Sequence, residues 1–221
     1  MFDLESQIRK WRRHVQSAGT LDAQHVEELE SHLRDSIDEL TERARDRGDD
    51  SPAAYAASRP AEAEASAVVA VVDAVRATGA RVHIVHLASG EGLDVISAAR
   101  LEGLPVSAET CPHYLQFTKE DFEKLGPLLK TAPVVKAQSD RQRLWQGLAS
   151  GELSFVATDH AAGSWPEEKE TGSIWTDYGG VPGVELMLPY LYSEGLGKGR
   201  ITLQRLTEIT ASEPARFFGI D

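Results

Sequence analysis

Three short strand-like segments separated by helical patterns constrain the fold of this chain more than any other feature. Residues 81–87 and 153–158 are rich in branched or aromatic apolar side chains, and residues 104–109 contain Leu104 and Val106. Because consecutive strands joined by helices form parallel sheets with right-handed crossovers, the pattern predicts an α/β fold. Helices are expected at 61–78, 92–102, 119–125, 139–149, 183–194 and 202–211.

The first 48 residues have a different pattern. Apolar residues recur there at helical spacing in two stripes, Leu4, Ile8, Trp11 and Val15, then Val26, Leu29, Leu33, Ile37 and Leu40. Two amphipathic helices joined by a short turn predict a helical hairpin over 1–48, followed by the α/β part over 49–221. His25 and His32 would lie on one helix face and could share a ligand, although histidines so placed are more often simply solvated.

Composition excludes several classes of function. The formal net charge is −12, from 23 basic and 35 acidic residues, which argues against a nucleic-acid partner. Cys111 is the only cysteine of the 221 residues, so an intrachain disulfide is impossible and a reducing compartment is indicated. The sequence shows neither a signal peptide nor an apolar run long enough to cross a membrane. We therefore expect a cytoplasmic protein that does not interact with membranes.

Ionisable side chains follow each of the three predicted strands. His86 ends the first, Glu109 and His113 follow the second, and Asp159 and His160 follow the third. Since the carboxyl ends of parallel strands lie at one edge of a sheet, these side chains are expected to converge. Imidazole and carboxylate ligands suit zinc and similar divalent metals, and a carboxylate beside such a metal can accept a proton from water. The pattern favours a hydrolytic metal site, with a core histidine bonded to a backbone carbonyl as the alternative for His86.

Five motifs occur in order along the chain: YAASRP at 55–60, HIVHLAS at 83–89, AETCPHYL at 108–115, ATDHA at 157–161 and GGVPGVE at 179–185. Together they closely resemble the cyclic amidohydrolases, a family that includes allantoinase, dihydropyrimidinase (hydantoinase) and dihydroorotase. Residues 213–219 look like the helix that closes the family's barrel. The resemblance covers about residues 40–221. It implies a metal-dependent (β/α)8 TIM barrel that hydrolyses cyclic amides, of which about the last three β/α units are present.

The resemblance also implies roles for individual residues. His86 matches a metal-ligand histidine, and Asp159 matches the aspartate that binds the metal and acts as the catalytic general base. The resemblance implies that this metal is zinc. Contacts to the cyclic substrate are implied for His113, Gly180, Pro182 and Gly183, with a purely structural role as the alternative for His113. His83 is expected to be structural, and Cys111 is expected to be a small apolar filler.

The ring substrate is indicated less directly. The segment TCPHY at 110–114 looks more like the allantoinase branch than the dihydropyrimidinase branch. Residues 131–134, TAPV, and 161–163, AAG, lack polar groups that relatives carry there. Dihydroorotase activity is therefore not expected.

Other ligands of the family's metal centre have no counterpart that the sequence reveals: a His-x-His pair, a lysine or aspartate, and a further histidine. Three hypotheses remain open. The chain is a truncated or fused amidohydrolase with an incomplete metal site and no activity alone. It is completed by another copy, as a homo-oligomer, or by a complementary chain. It is a non-catalytic scaffold in which the helical hairpin mediates dimerisation or docking.

Overall fold

A computed structural model describes residues 41–44 and 46–220, and these residues form an α/β fold. Residues 41–44 are helical. The helical hairpin predicted for 1–48, including His25 and His32, falls almost entirely outside the described residues. The division of the chain at residue 48 therefore stays a prediction.

A three-stranded parallel sheet forms the centre of the described part. Its strands are β1 (Val82–Ile84), β2 (Val106–Thr110) and β3 (Phe155–Val156), in the order β1-β2-β3. Val82 pairs with Val106 in β2, and Glu109 of β2 pairs with Phe155. The predicted parallel sheet is thus confirmed, with shorter strands than expected. β1 ends early because the chain turns sharply at His86, where φ is 43°.

Helices surround the sheet. Before and between the strands lie α1 (Pro52–Ala57), α2 (Ala61–Thr78), α3 (Gly90–Leu101), α4 (Pro112–Gln116), α5 (Lys119–Leu125), a 3-10 turn (Gly126–Leu129) and α6 (Gln138–Ser150). After β3 come α7 (Met187–Tyr190), a π-helical segment (Leu191–Leu196), α8 (Leu203–Thr207), a second π-helical segment (Glu208–Ser212) and α9 (Glu213–Phe218).

The helix ends follow local chemistry. The bounds predicted for α2 and α5 are confirmed, and α2 stops at Gly79, which adopts the left-handed conformation with φ 70°. Thr118 and Asp121 form a capping box at the start of α5. The helix predicted from residue 183 begins only at Met187. Gly183 and Val184 precede it, and their N–H groups donate to the His160 side chain.

The two faces of the sheet are covered differently. On one face, Val106 and Ala108 of β2 are buried beneath α3, which packs in turn on α2 and α6. The other face carries the His83 ring, which stacks on Phe155 at 5.0 Å and contacts Phe217 of α9 at 4.5 Å between ring centroids. These contacts are consistent with the structural role expected of His83. No helix of the described ranges is long and apolar enough to cross a membrane.

Glu152 joins α3 to α6. Its carboxylate accepts bonds from Arg143 at 2.6 and 3.1 Å, from Ser97 of α3 at 2.6 Å and from Ser150 at 2.7 Å. The hydrogen bond from Arg143 is the main cause that lowers the pKa of Glu152 to about 2. The native state thus favours the ionised carboxylate.

We predict a pH-dependent loss of stability at Glu152. A carboxyl whose pKa is lowered in the folded state stabilises the protein at pH values above its ordinary pKa of 4.5. This stabilisation disappears as the pH falls towards 2, the pKa in the folded state. Because the group is partly exposed, Glu152→Gln should lower the free energy of unfolding by about 1–2 kcal/mol at pH 7.

Urea unfolding measured between pH 7 and pH 2 checks this prediction. The difference between the wild type and Glu152→Gln should shrink as the pH falls below about 5. Glu123→Gln, which removes an exposed carboxylate on α5, is the control and should show no comparable change. A difference that stays constant with pH would contradict the role given to the ionised group.

Candidate functional site

Two of the predicted site residues end their strands in the same unusual backbone conformation. His86 has φ 43° and Asp159 has φ 45°, and they are the non-glycine residues with positive φ in the described part of the chain. This left-handed region is costly for most side chains, although Asp and His tolerate it better than others. The surrounding structure must therefore hold both turns in place. The sharp turns leave both side chains at the carboxyl edge of the parallel sheet.

The turn after His86 is held by a buried ion pair from outside the sheet. The backbone N–H of Ala88 donates to Glu64 Oε1 at 2.8 Å, and Glu64 Oε2 lies 3.8 Å from Lys136 Nζ. Lys136 Nζ also donates to the carbonyl of Arg59 at 2.7 Å. Burial raises the pKa of Glu64 and lowers the pKa of Lys136, and the charge of each partner opposes the effect on the other. Glu64 thus links the start of α2 to the end of β1.

Glu64 was missed by sequence reasoning. It lies in an alanine-rich helix where a single acidic residue is usually solvated. Its place in the first turn of α2, close after the YAASRP motif, does not distinguish it, because the exposed Glu62 has the same placement. Only the packing of α2 against the strand ends shows that this carboxylate is nearly buried.

A cluster of metal-type ligands lies at the same edge. Single ligand atoms of Cys111, His113 and Asp159 all lie within 4.8 Å of one another. Cys111 and His113 are buried where β2 leads into α4, and Asp159 is exposed at the end of β3. The structure thus brings Asp159 and His113 together, as predicted, and adds the thiol of Cys111, which the sequence analysis took for an apolar filler. The overlooked signal is the spacing Cys-x-His directly after a strand.

Burial leaves two imidazole nitrogens beside this cluster without partners. His86 Nδ1 and His113 Nε2 are both buried, and neither atom has a hydrogen-bond partner. Burial, and after it the neighbouring His86, lower the pKa of His113 to about 4. His113 is therefore neutral at neutral pH and has a lone pair available. Burial also raises the pKa of the Cys111 thiol, with Asp159 and Glu109 adding to the effect.

The donor set fits a divalent cation. Unpaired buried polar atoms are costly in folded proteins and usually have a ligand, water or catalytic explanation. Imidazole nitrogen, thiolate sulfur and carboxylate oxygen are the ligands that zinc and related metals take. His86, Cys111, His113 and Asp159 are the residues that could hold such an ion at this edge.

The glycine-rich loop is attached to the same place through His160. His160 Nδ1 accepts the N–H groups of Gly183 and Val184 at 3.0 and 3.2 Å, and His160 forms a parallel β-bridge with Val181. Because His160 follows Asp159 directly, the loop is held beside the end of β3. Sequence reasoning placed His160 at the strand end but did not give it this role.

The three predicted substrate residues of this loop differ in accessibility. Pro182 is exposed and Gly183 is half-buried, so both can meet a ligand. Gly180 is buried, its N–H donates to the carbonyl of Lys130 at 2.8 Å, and a Cβ there would clash with the carbonyl oxygen of Ala161. Close backbone packing therefore explains why glycine is needed at this position.

We predict that Gly180→Ala and its neighbour Gly179→Ala differ strongly. The added methyl group at Gly180 must displace backbone, which should cost about 1–3 kcal/mol of unfolding free energy. The nearest atom to a Cβ at Gly179 is Lys130 Cε at 4.0 Å, so the second variant should stay within about 0.5 kcal/mol of the wild type. Urea unfolding of both variants checks this. Equal stabilities would show that the loop does not pack as described.

Comparisons with known proteins agree with the geometry. An allantoinase of Bacillus licheniformis is 36% identical over 183 residues, which are 83% of this chain and 40% of that protein. An allantoinase of Salmonella paratyphi B is 30% identical over 215 residues, which are 96% of this chain and 47% of that protein. This chain thus spans less than half the length of these curated relatives. No family model matches the chain.

Solved structures show the same relationship. The L-hydantoinase (dihydropyrimidinase) of Arthrobacter aurescens superimposes with a TM-score of 0.79 at 34% identity, over 83% of this chain and 41% of that one. The dihydropyrimidinase of Brevibacillus agri superimposes with a TM-score of 0.81 at 30% identity, over 84% of this chain and 41% of that one. The chain therefore belongs to the cyclic amidohydrolase family and represents a partial region of it.

Proposed function

We propose that this chain takes part in the metal-dependent hydrolysis of a ring C–N bond in a cyclic amide of the allantoin, hydantoin or dihydropyrimidine type. The observation that carries the proposal is the convergence of Asp159, His113, Cys111 and the glycine loop at one edge of a parallel sheet. The relatives named allantoinase and hydantoinase support the substrate class. We further propose that the sheet and its helices form part of a (β/α)8 barrel.

The proposed metal ligands are His86 and Asp159, and zinc is the proposed metal. A divalent cation there would supply Lewis-acid activation of the ring carbonyl and of water. Asp159 is exposed at the strand end, so its carboxylate is available to take a proton from the attacking water and return it to the leaving ring nitrogen. The bond from Ala88 N–H to Glu64, just after the turn at His86, supports this assignment.

The proposed substrate contacts are His113 and the glycine loop. His113 is neutral at neutral pH, and its unpartnered Nε2 can accept or donate a hydrogen bond to a ring amide. Pro182 and Gly183 present backbone to a flat ring, and Gly183 is oriented by His160. Gly180 contributes indirectly, because its lack of a side chain lets the loop pack closely against Ala161, two residues after Asp159.

The active form is proposed to be an assembly. Catalytic zinc sites usually have three protein ligands, whereas His86 and Asp159 supply two. We propose that the remaining ligands and barrel strands come from another copy of the chain or from a complementary chain, in the cytoplasm. The helical hairpin proposed for 1–48 is a candidate for the contact between chains.

Asp159→Asn tests the catalytic assignment. In the metal-loaded assembly that hydrolyses allantoin, a hydantoin or a dihydropyrimidine, this substitution should lower kcat/KM by about a thousandfold or more, because it removes both the base and a charged ligand. Asp73→Asn, an exposed position of α2, is the matched control and should leave kcat/KM unchanged.

Two results would overturn the proposal. Turnover that survives Asp159→Asn nearly intact would remove the role given to this carboxylate. A metal-free protein of defined mass that hydrolyses none of the three substrate types, alone or with its partner chain, would favour the non-catalytic scaffold instead.

A further inference from the structure

We propose that Cys111, His113 and Asp159 form a binding site of this chain's own for a thiophilic divalent cation, such as Cd2+ or excess Zn2+. This ligand set differs from His86 and Asp159, the proposed ligands of the hydrolytic metal, because it includes the thiolate of Cys111. Occupation of this site would be inhibitory, because it withdraws Asp159 and His113 from the roles proposed above. The inhibitory consequence rests on the proposed function, whereas the site itself does not.

The geometry needs only a small adjustment. The three ligand atoms lie within 4.8 Å of one another, and tetrahedral zinc bonds place sulfur and nitrogen ligands about 3.5 Å apart. Cys111 and His113 are fixed by the first turn of α4, where Cys111 O accepts the N–H of Tyr114 at 3.1 Å and His113 O accepts that of Phe117 at 2.9 Å. Asp159 is exposed, so rotation of its side chain can close the remaining gap.

The His113 side chain supplies the independent sign of a ligand. This residue is only 6% exposed, and its Nε2 is buried without a hydrogen-bond partner. A buried imidazole is normally satisfied by a polar group or a metal. In the described ranges, Cys111, His113 and Asp159 are the group of three such side chains whose ligand atoms lie close enough together to hold a metal ion.

Thiolate chemistry defines the class of cation. Binding would replace the Cys111 S–H bond by a sulfur–metal bond and release one proton to solvent, with no change of oxidation state. Soft thiolate ligands select cations such as Cd2+, Zn2+ or Hg2+ over Mg2+ and Ca2+, which prefer oxygen. Asp159 would serve both this site and the one proposed with His86, so the two sites compete for it.

Absorption spectroscopy of the purified metal-free chain tests the proposal. Because Cys111 is the only cysteine, a near-ultraviolet thiolate-to-metal charge-transfer band on adding Cd2+ can report this residue alone. We expect a band that saturates at one equivalent per chain and is lost in Cys111→Ser. His113→Ala and Asp159→Asn should each weaken Cd2+ binding by more than about a hundredfold, because each removes a direct ligand, whereas loss of an outer-sphere partner costs about 10–100-fold.

His86→Ala is the matched control, because it removes the neighbouring histidine and keeps all three proposed ligands. It should retain the band and the affinity for Cd2+. A wild-type chain that shows no band at stoichiometric Cd2+ would overturn the proposal, whatever the variants do. An affinity unchanged in both His113→Ala and Asp159→Asn, or a band lost in His86→Ala, would overturn the ligand set.

These outcomes separate this site from the hydrolytic function. If the chain forms the Cd2+ band but no assembly of it hydrolyses a cyclic amide, the cation site is supported and the hydrolytic function is contradicted. If an assembly hydrolyses a cyclic amide but the chain shows no thiolate band, the hydrolytic function is supported and the cation site is contradicted. If both hold, added Cd2+ should inhibit the wild-type assembly and spare Cys111→Ser.

Discussion

The parallel pairing of β2 with both of its neighbours is the interaction on which the site depends. The ladder continues past the strand ends, where Leu87 N–H donates to Glu109 O at 2.9 Å and Ala157 N–H donates to Thr110 O at 3.0 Å. The Thr110 hydroxyl also donates to Leu87 O at 2.8 Å. These bonds fix the three strand ends at one level, so side chains far apart in sequence meet at one edge. Without this register, Asp159 and the β2–α4 segment would not share a site.

The site contains several buried polar groups of a kind that is uncommon in protein cores. Glu64 and Lys136 form a buried pair, and His86 and His113 each have a buried nitrogen without a partner. Such groups lower stability unless something satisfies them, and replacing them by apolar side chains is often neutral or stabilising. Their presence together at a strand edge is therefore better explained by ligand binding than by folding. The apolar contacts among α2, α3 and α6 supply the compensating stability.

Much of the fold could be predicted from local patterns. The valines of α2 recur at helical spacing and Gly79 ends that helix, so its bounds followed from periodicity and a left-handed cap. The parallel sheet followed from the alternation of strands and helices. The attachment of the glycine loop to His160 could not be predicted, because this side chain accepts the N–H groups of Gly183 and Val184 across 23 and 24 residues. Local propensity contains no information about such a contact.

The sequence by itself determined the kinds of residues that end each strand, and hence the family and the positions of His86, His113 and Asp159. Only the tertiary structure decided which groups share the site: it placed the Cys111 thiol beside Asp159 and buried Glu64 behind the turn after β1. The physical reason is that residue type and spacing specify local conformation, whereas burial and ligand distances are set by the packing of segments far apart in the chain.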